Sequence, residues 1–80
     1  MVTPEDILAF WFQELEPRQW WAVDAALDTR IGERFLPTLE QAARCELAPW
    51  RASAAGRLAE VIVLDQFSRN IFRNTPGFFF

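Results

Sequence analysis

The 80-residue sequence contains no histidine, and that absence removes much of catalytic chemistry at once. Ser-His-Asp and Cys-His arrangements, histidine-ligated metals and imidazole acid–base catalysis are excluded within one chain. Cysteine occurs once, at Cys45, so no internal disulfide forms. With no His and no second Cys beside it, Cys45 reads as a bystander in neither metal nor nucleophile chemistry. The three glycines are isolated and make no phosphate-cradling loop. Lysine is missing too: all eight basic residues are arginine, scattered along a chain of net charge −3, which argues against a nucleic-acid surface built on phosphate contacts. Long apolar runs are also lacking. Val61 to Leu64 is far short of the roughly 20 residues a membrane helix needs, and Met1 to Asp6 is acidic where a secretory signal is basic. The expectation is a cytoplasmic protein with no membrane partner, no metal and no cofactor.

What is present is apolar bulk. Half the residues are hydrophobic, with eight Phe and four Trp, which is too rich for disorder. A chain this short makes one small domain, and its core must be dense or shared.

Helix signals follow in order. Thr3-Pro4-Glu5-Asp6 carries an N-cap, a proline at the first helical position and two carboxylates at the positive pole, predicting a helix from Pro4 to about Leu15. Ile7, Leu8, Trp11 and Leu15 form its stripe, and Phe10 and Phe12 widen it, so that it should be wedged between neighbours. Pro17 breaks the chain. Trp20 and Trp21 follow, and as sequence neighbours they cannot share one face: one packs down and the other crosses a surface or groove. Asp24 caps a second helix, 25–44, in which Leu27, Ile31, Phe35 and Leu39 recur at four-residue spacing. Pro37 is expected to kink or divide it, with Gly32 loosening the turn before. Ser53 caps a third, 54–73, whose apolar residues Leu58, Val61, Ile62, Val63, Leu64 and Phe67 surround it almost completely and make it the central helix. Thr75-Pro76 repeats the Thr3-Pro4 start signal. The fold class is all-α, a three-helix antiparallel array.

The third helix also carries polar residues that need partners. At about 100° per residue, Asp65 and Arg69 project between Leu58 and Ile62, on a flank expected to be packed. A buried carboxylate and guanidinium spaced i,i+4 should pair, and Asp65→Ala should then cost on the order of 3 kcal/mol by stranding Arg69. Asp65 as acid or base, Arg69 and Arg73 as an anion clamp, and Gln66 and Asn70 as orienting amides make an enzyme or small-molecule binder conceivable. The same set also serves as a polar network tying the helix to its neighbours, with Arg69 and Arg73 favoured at the negative pole. The competing function is an interaction module for a protein or peptide, with Trp20, Trp21 or Trp50 as anchors, although no 34-residue repeat is visible.

Asp65-Gln66-Phe67-Ser68-Arg69-Asn70-Ile71-Phe72-Arg73 with Thr75-Pro76 resembles the signature of a bacterial family known as domain of unknown function nine hundred and twenty-four. Ile7 to Phe12, Trp20-Trp21 and Ile31 to Pro37 agree with it in the same order. The resemblance implies a tetratricopeptide-like helical fold and no assigned reaction. It also implies a continuation through several more helices beyond the Thr-Pro, which Gly77-Phe78-Phe79-Phe80 does not resemble, so the chain looks like the truncated amino-terminal part of a larger helical domain, 1–80 forming one unit. An apolar central helix that two others cannot cover should leave a patch favouring self-association.

Overall fold

Each rod of the fold begins on a side-chain cap. In the computed structural model, which describes residues 2–21 and 23–72, the Thr3 hydroxyl accepts from the Asp6 N–H at 3.2 Å and the Asp6 carboxylate accepts from the Thr3 N–H at 2.9 Å, closing a capping box at α1 (Pro4–Ala9). α1 runs on without a break into a π-helical turn, Phe10–Glu14, ended by an i→i+5 bond from the Leu15 N–H to the Phe10 carbonyl. A 3₁₀ turn, Pro17–Trp20, follows. Asp24 caps α2 (Ala25–Ala43) by accepting from the N–H groups of Ala26 and Leu27. Pro37 lies inside α2, which is not divided there.

α2 ends in a left-handed turn. Glu46 N–H bonds to the Gln41 carbonyl and Cys45 N–H to the Ala42 carbonyl, the paired bonds of a Schellman motif, with Cys45 at φ 61° where glycine is usual. The chain then makes a strap, the 3₁₀ turn Ala48–Ala52, and Ser53 caps α3 (Ala54–Val61) through the Gly56 N–H. A second π segment, Ile62–Phe67, continues α3 directly into α4 (Ser68–Phe72). At its end the Ser68 hydroxyl donates to the Leu64 carbonyl at 2.6 Å, with the Asp65 carbonyl 3.1 Å away, engaging carbonyls inside the π segment. The described residues thus form three rods and contain no strand, so the fold is all-α.

The third rod is central in a specific sense. α1 packs against α3, whereas α2 packs against the second π segment and α4. The three rods meet at Phe10, Phe35 and Phe67, one ring from each, all fully or almost fully buried. Phe10 meets Phe35 and Phe67 edge-on at 5.1 and 5.8 Å, and Phe35 stacks on Phe67 at 4.8 Å. Burying each ring stabilises by about 2–3 kcal/mol, and each ring pair adds about 1 kcal/mol. Two of those rings, Phe10 and Phe67, sit in the π segments, so the widened turns face each other across the core. Leu27, Ile31, Phe35 and Leu39 are all buried, as their spacing predicts.

Two expectations are corrected here. The third rod is not surrounded: Leu58 and Val61 are 45% and 58% exposed, because its buried face runs through Gly56, Ala59, Glu60, Val63, Phe67 and Asn70 instead. Nor is the first rod apolar contact on both flanks, since Phe12 is 49% exposed. Among the described residues no helix is long and apolar enough to cross a membrane. Arg73, Thr75-Pro76 and Gly77–Phe80 lie outside the described residues.

Candidate functional site

The polar residues of the third rod divide into two groups, because the rod presents them on opposite sides. Asp65 and Arg69 do pair, Nη2 to Oδ1 at 3.0 Å, and the Gln66 amide donates to the other Asp65 oxygen at 3.2 Å. The expected burial of this pair is wrong. Its side chains are 47% and 68% exposed, because Leu58, their neighbour on the rod, itself faces solvent. An exposed ion pair one helical turn apart contributes only a few tenths of a kcal/mol, which replaces the loss of about 3 kcal/mol expected for Asp65→Ala. Asn70 points the other way. It is buried, and its amide donates to the Asp28 carboxylate at 2.8 Å, tying α4 to α2 across 42 residues of sequence. Asp65, Gln66 and Arg69 are therefore brought together, Asn70 stands apart from them with Asp28, and Arg73 lies outside the described residues.

The two tryptophans part as their adjacency requires. Trp20 is half-buried, stacks on Trp11 at 5.8 Å with an interplanar angle of 9°, and donates its indole N–H to the Trp11 carbonyl at 2.9 Å. Phe12 meets Trp20 edge-on at 5.7 Å. Trp21 is 83% exposed and Val23 nearly as open. Phe12, in ring contact with Trp20, and Trp21, next to it in the chain, are thus large apolar side chains left open beside a fixed indole, with Val23 open two residues further on. Trp50, the third anchor expected, is half-buried against the core instead.

One ionic site went unread in the sequence. Glu60 is buried in α3, and Arg51 of the strap grips it with two parallel bonds, Nε to Oε1 and Nη2 to Oε2, each 2.9 Å. Those hydrogen bonds hold the Glu60 carboxyl below its ordinary value of 4.5, against burial, which pushes it up. The same bonds raise the Arg51 guanidinium. Arg57 adds a bond from Nη1 to the Arg51 carbonyl. Nothing local signals the pair, as its members lie nine residues apart on different elements; a carboxylate set inside the apolar run Leu58–Leu64 was the available clue.

Two further features surround α2. Arg34 lies over the rings of Phe10 and Phe35 at 4.8 and 5.0 Å and bonds Glu14 at 3.1 Å, tying α2 to the first π segment. Beside it an open groove of about 410 Å³ runs from Val2 past Pro37, Thr38 and Gln41 to Arg44. Both of its arginines already hold carboxylates, Arg34 that of Glu14 and Arg44 that of Glu46. Among the described residues no three His, Cys, Asp or Glu side chains gather as metal ligands, and no buried side-chain polar atom lacks a partner.

No curated protein and no solved structure matches the chain. A family model does, over residues 7–80, a span that takes in the Gly77–Phe80 end: the chain belongs to the bacterial protein family of unknown function DUF924.

Proposed function

We propose that the chain is a cytoplasmic, tetratricopeptide-like interaction scaffold that presents the open side chains of Phe12, Trp21 and Val23 to a protein or peptide partner. The observation that carries this reading is Trp21, 83% exposed beside an indole that is pinned by stacking and by a hydrogen bond. A large aromatic surface left open on a rigid mount suits a contact hot spot, because little side-chain or loop freedom is lost when a partner covers it. An anion-binding or catalytic cluster of Asp65, Arg69 and Asn70 is the weaker alternative, since each of these groups already has a protein partner.

The test is a selection of peptides displayed against the purified chain, followed by titration of the selected peptides against Trp21→Ala. Affinity should fall by about 30-fold or more, the mark of a hot-spot residue, while the melting temperature stays within a degree or two. Peptides that bind Trp21→Ala as tightly as the wild type would remove this exposed indole from consideration.

A further inference from the structure

The groove beside α2 holds polar groups that the fold leaves unused. Thr38 is only 3% exposed, yet it lines the groove. Its hydroxyl makes no hydrogen bond among the described residues, and no side-chain polar atom closed off from solvent lacks a partner, so the hydroxyl is what Thr38 turns to the groove. Gln41 lies one turn on along the same side of α2, half-buried, with an amide that is likewise unspent among the described residues. Glu40 stands at the outer edge with an exposed carboxylate that forms no ion pair among them.

The charges decide what these groups can take. Arg34 is engaged by Glu14 and Arg44 by Glu46, so each guanidinium of the groove is matched by a carboxylate and the charge of Glu40 is left over. Glu40 also steadies the Arg44 guanidinium through space, but less than the Glu46 bonds do. An anion would have to displace Glu14 or Glu46 and then face Glu40 as well.

We propose that the groove binds a primary alkylammonium group, its stem on Pro37 and Val2 and its N–H groups shared among the Thr38 hydroxyl, the Gln41 side-chain oxygen and the Glu40 carboxylate. An ammonium has three donors and no acceptor, and these three side chains all offer acceptors. Glu40 supplies the attraction, and with no partner to give up it closes on the ligand from the edge. Thr38 and Gln41 supply direction. Pro37 and Val2 give the apolar surface that a methylene stem covers. The groove is open and the ligand has few atoms, so binding is weak, in the millimolar range. No residue is shared with Phe12, Trp21 or Val23, and failure of either reading leaves the other untouched.

The experiment follows backbone and side-chain NMR shifts of the full chain at neutral pH while n-butylammonium chloride is added. The shifts should saturate and concentrate at Val2, Thr38 and Gln41, whereas butanol and butyrate, which keep the stem and lose the cation, should not saturate over the same range. Nα-acetyl-lysine-amide presents the same ammonium on a side chain: tighter binding of it than of n-butylammonium assigns the groove to a partner's lysine, and the reverse to a free amine. Glu40→Gln should weaken binding by about tenfold, and Thr38→Val by about fivefold, with the melting temperature confirming that each variant is folded. Asp65→Asn, which removes an exposed carboxylate on another rod, should change nothing. Butanol or butyrate binding as tightly as the amine, an unchanged affinity in Glu40→Gln, or equal losses in Glu40→Gln and Asp65→Asn would each overturn the proposal.

Discussion

The third rod carries two ion pairs of nearly equal length, Arg51–Glu60 at 2.9 Å and Arg69–Asp65 at 3.0 Å, and they have opposite meanings. The Glu60 side chain is 8% exposed and is held by both arms of a guanidinium from another element; Asp65 is 47% exposed and held from its own helix. Distance does not separate them. What separates them is the medium around the carboxylate: a desolvated one must keep its partner, while an exposed one exchanges its partner for water at little cost.

The sharpest way to strain that contrast is at Gly56. A Cβ there would fall 1.9 Å from the Trp50 carbonyl oxygen and 2.8 Å from its carbon, and backbone cannot step aside as a side-chain tip can. Gly56→Ala should lift the strap from α3 and cost about 3 kcal/mol or more in chemical denaturation, disrupting the Arg51–Glu60 pair and sparing Asp65–Arg69. Glu60→Ala comes next, at about 1–2 kcal/mol for the lost charge-assisted bonds. If Gly56→Ala acts through the strap, the two losses combine to less than their sum.

Acid tests the buried pair directly. Because the Glu60 carboxyl is depressed on folding, its contribution is present above the ordinary value of 4.5 and disappears as the pH falls through the folded value. The melting temperature of the wild type should therefore drop on acidification below about pH 4.5, and Glu60→Gln should reduce that drop, leaving the share that belongs to the Asp6 carboxyl, which its bonds with Thr3 also hold down. A smaller effect is expected where α2 turns toward the strap. Cys45 occupies a left-handed conformation that costs a side-chain-bearing residue about 1–2 kcal/mol, part of which glycine returns in chain entropy, so Cys45→Gly should stabilise by about 0.5–1 kcal/mol. Smallest of all, Asp65→Ala on dilute protein should change stability by about 0.5 kcal/mol or less. A loss equal to that of Glu60→Ala would erase the distinction between the two pairs.

The caps show what local sequence can specify. Thr3, Asp24 and Ser53 all bond the N–H groups their positions predict, because capping needs only residues two or three places apart. The four-residue stripe of α2 was legible for the same reason. On the third rod the helical wheel correctly set Asp65 beside Leu58 but put both on the wrong side of the core, since an apolar side chain does not by itself declare which face is covered. Asn70–Asp28 and Arg51–Glu60 escaped notice because each joins elements whose approach is decided by packing, with no spacing rule to reveal it. The split of Trp20 from Trp21 was foreseeable from adjacency, whereas the indole bond that fixes Trp20 was not.

The widened turn at Ile62–Phe67 has an evolutionary corollary. A π segment behaves as an α-helix that has accepted one additional residue, and everything downstream is rotated by about 100° in consequence. Removing any one residue from that stretch would let the rod close to ordinary pitch and swing the Asn70 amide off the Asp28 carboxylate. A relative that aligns with a single gap there should therefore have lost the asparagine as well, or have found another acceptor for it.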